Sequence, residues 1–460
     1  MNKIALRYLT LILLLGLILP GCTKIPNQKQ NTDNTGGESQ TVTTKKKDNP
    51  LDTSAVISEE VAIPVSDPYV PLNYTDFKAM WLSQFDMQSV YTKDGRQRDE
   101  ASFTSLAKTI LSNIKEQGIN TVIVQVRPNA DSMYPSNYYP MSAYTVGSYG
   151  RTADYDPFAI ILKEAHAIGL SVQAWINPMR AMSDSQISLV GKEYQIKQWY
   201  TDTAKKGTYI VQVGSNWYLN PAYPEVRKLI VDGAKEILEK YDVDGLHMDD
   251  YFYPTTETSF DSAAYSGYVK SGGKSSLADW RREQLNLLVK ELYQAVKEYS
   301  PDALFGISPA GNFETVYERQ YADVYEWCGK PGYIDYICPQ AYFGFEHATF
   351  DFVKVVTTYQ SMIKPGSGVK LIVGMSLGKA VSGYSGTGDQ YAGTGKDEWI
   401  KNRDILYRQL EYTKKLDKCT GVSYFCYQYF YDPVKGTTIK ASSDERSLFV
   451  PLLKTITWVK

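Results

Sequence analysis

Histidine is scarce in this chain of 460 residues: there are three, at 166, 247 and 347. Zinc and its transition-metal neighbours are held largely by His and Cys, and three scattered histidines do not make such a set. Cysteine is scarce as well. The five, at 22, 328, 338, 419 and 426, include no C-x-x-C pair, so no metal and no cofactor is expected. A bridge such as 328–338 stays open, because spacing does not fix connectivity. Excess positive charge is missing. The net charge is −2, without the basic footprint that a nucleic-acid partner needs. No glycine-rich phosphate loop follows the first strand-like run, as it would in a dinucleotide-binding open sheet. The apolar run at 11–19 is too short to span a membrane comfortably.

The bulk of the chain is that of a globular protein, 43% hydrophobic and 22% charged. Tyr and Trp are plentiful, at 37 and 8, and their flat faces suit sugar rings. Residues 1–22 read as an export signal: Lys3 and Arg7, the apolar run, then Leu19-Pro20-Gly21-Cys22. The last four residues resemble a bacterial lipobox, which implies cleavage before Cys22 and lipidation of its thiol. Residues 23–74 are polar and poor in aromatics, a flexible linker that buries too little apolar surface to fold. The expected location is therefore outside the cytoplasm, anchored by lipid to the outer face of a membrane.

From residue 75 to 460 apolar strand-like runs alternate with amphipathic helical stretches. The strands are expected at 78–83, 121–127, 171–177, 243–249, 304–308, 334–340, 370–375 and 421–427, and helices at 102–117, 157–168, 224–240, 279–299 and 401–416. Such alternation means parallel strands joined by crossover helices. Eight units fit an α/β fold of the (β/α)8 barrel type; a doubly wound open sheet is the other arrangement considered. A monomer is expected.

Such barrels work at the C-terminal ends of their strands, and polar residues gather at those ends here. The second strand supplies Gln125 and Arg127, with Asp131 in its loop; the third supplies Trp175 and Asn177, with Arg180 beyond; the sixth supplies Gln340 and Tyr342. The fourth is the densest. In Asp244-Gly245-Leu246-His247-Met248-Asp249-Asp250-Tyr251-Phe252-Tyr253-Pro254, alternation puts His247 and Asp249 on one face and Leu246 and Met248 on the other. One Asp at a strand end can cap a following helix, but two before Tyr-Phe-Tyr-Pro exceed that need. Arg127 could pair with Asp131 or with Asp249, holding the carboxylate ionised. His247 is expected as a supporting partner of Asp249. Trp175 and Tyr342 are expected as sugar platforms.

These stretches resemble the glycosyl hydrolase-like 10 family. The matching segments are Gln125-Val126-Arg127-Pro128 with Tyr134-Pro135-Ser136, Ala174-Trp175-Ile176-Asn177-Pro178, Tyr218-Leu219-Asn220-Pro221, the 244–254 stretch, Ile307-Ser308-Pro309-Ala310-Gly311-Asn312 and Pro339-Gln340-Ala341-Tyr342. The resemblance implies a (β/α)8 barrel that hydrolyses glycosidic bonds, in some members those of peptidoglycan glycan strands stripped of their peptides. Asp244-Gly245-Leu246-x-x-Asp249 is also similar to the fourth-strand motif of family 18 chitinases, where this Asp orients the substrate's acetamido group. His247 stands where that motif has an earlier Asp, and Tyr251 where it has its acid Glu.

Glycoside hydrolysis needs a protonated acid and a second group that stabilises the oxocarbenium-like transition state. The expected catalytic residues are Asp249, as nucleophile, base or acetamido-orienting group, and Asp250 or Asp131 as the acid, Asp250 first. Gln125, Arg127, Asn177, His247 and Gln340 would hold charges and hydroxyls, and Trp175, Tyr251 and Tyr342 would bind rings. The expected partner is a polysaccharide. Two other classes fit less of the pattern: a surface sugar-binding lipoprotein that no longer catalyses, and a metal-dependent deacetylase-like hydrolase.

Overall fold

A computed structural model describes residues 69–458. The expected signal, Cys22 and the linker up to residue 68 lie outside the described residues. Eight parallel strands close into one barrel: β1 (Phe77–Leu82), β2 (Thr121–Arg127), β3 (Ser171–Ile176), β4 (Gly245–Met248), β5 (Leu304–Ile307), β6 (Tyr336–Ile337), β7 (Lys370–Ser376) and β8 (Cys419–Phe425). Closure comes where β8 meets β1, with Phe77 beside Gly421 and Met80 beside Tyr424. This is the expected (β/α)8 barrel, and every expected strand is in it.

The crossover helices form the outer ring: α1 (Glu100–Glu116), α2 (Pro157–Ala167), α3 (Pro224–Lys240), α4 (Leu277–Tyr299), α5 (Val324–Gly329), α6 (Phe352–Met362), α7 (Ile405–Thr413) and α8 (Ser443–Thr455). α3 shows why they settle there. Pro224 starts it, where a missing N–H does no harm, and Val226, Ile230, Ala234 and Ile237 recur at helical spacing on its buried face. The helix expected at 401–416 is instead two, Glu398–Lys401 and α7. The buried Glu445 carboxylate accepts the Ile405 and Leu406 N–H groups at 2.9 and 3.0 Å, which fixes a fresh helix start there.

Strand alternation sorts the core into two layers. Met80, Leu82, Val122, Val124, Leu246 and Met248 pack outward against the helices. Phe77, Ala79, Trp81, Ile123, Trp175, Tyr336, Cys338, Ile372 and Cys426 fill the barrel. Glycine makes room inside. A Cβ on Gly306 would lie 1.9 Å from the Tyr336 ring, so this ring crosses the barrel only because position 306 carries no side chain. All four cysteines among the described residues are buried free thiols. Cys328 packs outside the strand wall and Cys338 inside it, which rules out the bridge left open above.

The barrel's N-terminal end is closed by the chain that leads into it. Asp244, fully buried just before β4, accepts hydrogen bonds from the Tyr69 hydroxyl at 2.5 Å, from the Val172 N–H at 2.6 Å and from the Leu72 N–H, and contacts His166 Nε2 at 2.9 Å. Asn73 donates to the Asp244 carbonyl at 3.1 Å. Residues 69–74, assigned to the linker, are thus bonded to the barrel: the Tyr69 and Tyr74 hydroxyls, the Leu72 N–H and the Asn73 amide all donate to it. Replacing Asp244 with Ala leaves the buried Val172 N–H and the half-buried Tyr69 and Leu72 donors without this acceptor and should destabilise the fold by about 1–3 kcal/mol. Urea unfolding would read this as a lower midpoint, and a midpoint equal to the parent's would refute the latch.

Candidate active site

Asp249 and Asp250 follow the last residue of β4, at the C-terminal end of the barrel. Asp249 is 4% exposed, and a carboxylate so buried must be hydrogen-bonded. The donors form a chain of fixed polarity. The Gln84 backbone N–H donates to Gln125 Oε1 at 2.8 Å, Gln125 Nε2 donates to Asn177 Oδ1 at 2.7 Å, and Asn177 Nδ2 donates to Asp249 Oδ1 and Oδ2 at 2.7 and 2.6 Å. Because a backbone N–H can only donate, Gln125 must offer its oxygen to it, and each amide down the line is turned the same way. Gln84 opens the short helix Gln84–Tyr91, so the chain begins at one of the N–H groups that a helix start leaves without an internal partner.

Burial pushes Asp249 well above the usual carboxylate range, and the neighbouring Asp250 charge adds to that; Asn177, the Tyr251 N–H and Arg180 oppose it. Burial raises Asp250 too, against the Gln340 amide and the Arg180 charge. Two carboxyls this close titrate as a pair, and one proton stays on the pair above the pH at which a free Asp has lost its own. The folded chain therefore holds a proton that the unfolded chain has released. The pair's contribution to stability is full below the ordinary Asp range and is lost as pH rises through the pair's own titration.

Around the pair, the Arg180 guanidinium lies over the Tyr251 ring, 4.6 Å from its centroid. Tyr251 is 41% exposed. The half-buried Tyr342 stacks on Phe425 at 5.8 Å, and the charges of Asp249 and Asp250 reach its hydroxyl. Gln340 Nε2 donates to the Ser308 carbonyl at 3.2 Å. Gln84 Oε1 and Trp175 Nε1 are buried with no hydrogen-bond partner among the described residues.

The structure brings Asp249, Asp250, Gln125, Asn177, Tyr251, Gln340 and Tyr342 together and places four others, Arg127, His247, Trp175 and Asp131, elsewhere. Arg127 faces the helices. A bulge between Gln125 and Arg127 shifts the register, so Arg127 pairs with Ile176 and takes that residue's outward side. Its guanidinium lies over Tyr139 at 4.7 Å and against α3, where a Cβ on Gly233 would come within 2.6 Å of it. It pairs with neither Asp131 nor Asp249. His247 points inward as expected but is fully enclosed below the mouth. Trp81 Nε1–H donates to its Nε2 at 3.3 Å, so its Nδ1–H is left for the Tyr336 hydroxyl at 2.8 Å. Desolvation lowers it to about 3, so it is neutral and binds no charge. Trp175 is 5% exposed and packed in the inner cluster, so its faces are not an open platform.

Asp131 is fully buried in the loop after β2. It accepts the Asn129 N–H at 2.7 Å and the Tyr149 hydroxyl at 2.8 Å. Those bonds hold the loop. Arg180, expected beyond the third strand but given no role there, is the residue whose part in the site the sequence did not show. It starts a three-stranded antiparallel sheet, Arg180–Ser183, Asn216–Leu219 and Ile210–Val213, inserted after β3. Nothing local in the sequence announces that Arg180 pairs with Tyr218. Among the described residues no three His, Cys, Asp or Glu side chains are grouped so as to hold a metal ion.

A closed parallel barrel with a coupled carboxylate pair at the end of its fourth strand defines a (β/α)8 protein of the glycosidase type. The chain belongs to the glycosyl hydrolase-like 10 family, whose model matches residues 76–391. It is 36% identical to the glycosyl hydrolase YngK of Bacillus subtilis over 263 residues, 53% of this chain and 50% of that one. The matched part is thus about half the length of that relative. It is 28% identical to the glycosyl hydrolase DigH of Escherichia coli over 343 residues, 70% of this chain and 75% of that one. In fold it is similar to the PgaB (BpsB) glycoside hydrolase domain of Bordetella bronchiseptica, with a TM-score of 0.50 and 14% identity over 81% of this chain and 98% of that one.

The pair's coupling can be read directly. In Asp250→Asn the neighbouring charge is gone, so Asp249 should release its proton at lower pH than in the parent. A 13C carboxyl titration checks this, and an unmoved Asp249 midpoint would refute the coupling.

Proposed function

We propose that this chain is a glycoside hydrolase acting on N-acetylhexosamine-containing cell-wall glycan, with peptide-free peptidoglycan strands as its substrate. The buried, coupled carboxylates of Asp249 and Asp250 carry the reading. Hydrolysis of a glycosidic bond needs one carboxyl that holds a proton at working pH and one group that carries negative charge beside the developing cation. Asp249 is the more enclosed and the more strongly raised. In this reading, which reverses the roles expected from the sequence, it is the acid and protonates the leaving oxygen. Asp250, beside Arg180 and Gln340, carries the charge that faces the oxocarbenium-like centre. Asn177 fixes the Asp249 carboxyl plane, and Tyr251 and Tyr342 offer ring faces to the sugars. Family membership and two relatives named as glycosyl hydrolases support the activity. The sequence resemblance supports the peptidoglycan substrate, and the signal-like residues 1–22 support export and a lipid anchor on Cys22.

The roles separate with leaving-group chemistry. Asp249→Asn should lose at least about 10²-fold on glycan strands, the low end for a lost acid–base group. It should keep most of its rate on an aryl glycoside whose leaving group needs no proton. Asp250→Asn should lose both. Mass analysis of the products from residues 69–460 incubated with peptide-free strands gives the linkage cut. No product from any glycan would favour the sugar-binding class, and glycan turnover by Asp249→Asn at the parent's rate would remove Asp249 from the acid role.

A further inference from the structure

Arg180 is more than the acidic pair requires. Its guanidinium is half-buried, held by the Tyr251 ring on one face and by backbone pairing to Tyr218 at the start of the inserted sheet. Its charge reaches Asp249, Asp250 and the hydroxyls of Tyr218 and Tyr144. Yet among the described residues it has no ion pair, and none of its N–H groups is hydrogen-bonded to a side chain. A guanidinium is a planar fork matched to a carboxylate, and leaving such a fork uncommitted beside two Asp residues is a poor choice for stability alone. A neutral glycan would meet it only through hydroxyl or acetamido oxygens, without a charge to match the fork. An anionic glycan brings that charge, and the Asp pair repels it unless a cation stands at the same mouth.

We infer that the site takes a glycan carrying a carboxylate, and that Arg180 holds this carboxylate in a forked pair over Tyr251. The inference rests on the glycosidase reading above and adds to it the residue that recognises the substrate's charge. Two sources share the chemistry: the lactyl ether carboxylate of a peptide-free muramic acid, and the ring carboxylate of a uronic acid.

The test compares each acidic glycan with its own carboxyl-reduced form, in which the carboxylate has become a hydroxymethyl group. One arm uses peptide-free peptidoglycan strands and the other an alternating N-acetylhexosamine–uronate polymer. A charged hydrogen bond contributes about 1.5–3 kcal/mol, so kcat/KM for the parent protein should favour an acidic glycan over its reduced form by about 10- to 100-fold. The arm with that ratio identifies the source. In Arg180→Gln the ratio should fall to about one, whatever happens to the absolute rates, and Arg180→Lys should keep part of it. If Arg180 only tunes the Asp pair, Arg180→Gln lowers both rates together and the ratio survives; that outcome overturns the inference, as does a parent ratio near one in both arms. Failure of the parent protein to cut any of the four glycans would overturn the glycosidase reading itself, and this inference with it.

Discussion

The molecule depends on satisfying one carboxylate out of reach of bulk water. Asp249 cannot sit at 4% exposure unless N–H groups face it, and the nearest source is a helix start rather than a charged side chain. The Gln84 N–H would be an unpaired donor at the first turn of its helix. Gln125 and Asn177 carry its polarity across two strands and deliver it to both Asp249 oxygens. Neutral amides do this without cancelling the charge. An Arg in the same place would hold Asp249 ionised and low. With amides, desolvation and the Asp250 charge win, and the group stays raised. The chain needs β1, β2, β3 and β4 in one register, so the chemistry of Asp249 and the closure of the barrel are a single constraint.

β4 and its flanks carry that constraint along their length. Asp244 and Asp249 are five residues apart, about 16 Å along an extended chain. Asp244 is bound by Tyr69, Leu72, Val172 and His166 at one end of the barrel. Asp249 meets Asn177 and one backbone N–H at the other. The first carboxylate is saturated and holds the fold; the second is under-supplied, raised and coupled. Between them His247 is neutral, tied to Trp81 and Tyr336, which gives the mouth a dry floor. A charged His there would need a partner that the inner cluster does not provide.

Much of this was legible in the chain. Eight apolar runs became eight strands because a parallel barrel buries both strand faces and leaves a dense apolar record. The inward parity of His247 and Asp249 followed from alternation alone. Arg127 shows where alternation fails. The rule counts residues, and one bulge at Val126 moves Arg127 to the other side of the wall. The tripeptide Gln-Val-Arg carries no glycine or proline to announce it. His247 and Trp175 faced inward as parity required, but parity does not give depth, and both lie below the open mouth. Arg180 is placed by pairing with Tyr218, a contact between segments far apart in sequence that local pattern does not encode.

Adjacency was the difficulty with Asp250, since neighbours on a strand point to opposite faces. The structure removes it. β4 ends at Met248, and the chain turns at once: the Tyr251 N–H reaches back to Asp249 Oδ1 at 3.3 Å, and the Phe252 N–H bonds to the Asp250 carbonyl at 3.1 Å. Asp249 and Asp250 are therefore turn neighbours, and the charge of Asp250 adds to the burial that raises Asp249. Asp131 is loop-bound with both oxygens taken, and its charge acts on Tyr149 and Tyr144. A group that stabilises the developing cation must face the substrate, and a carboxyl committed to holding its own loop does not. In the mechanism proposed here Asp250 rather than Asp131 acts with Asp249, because the turn leaves it beside that residue.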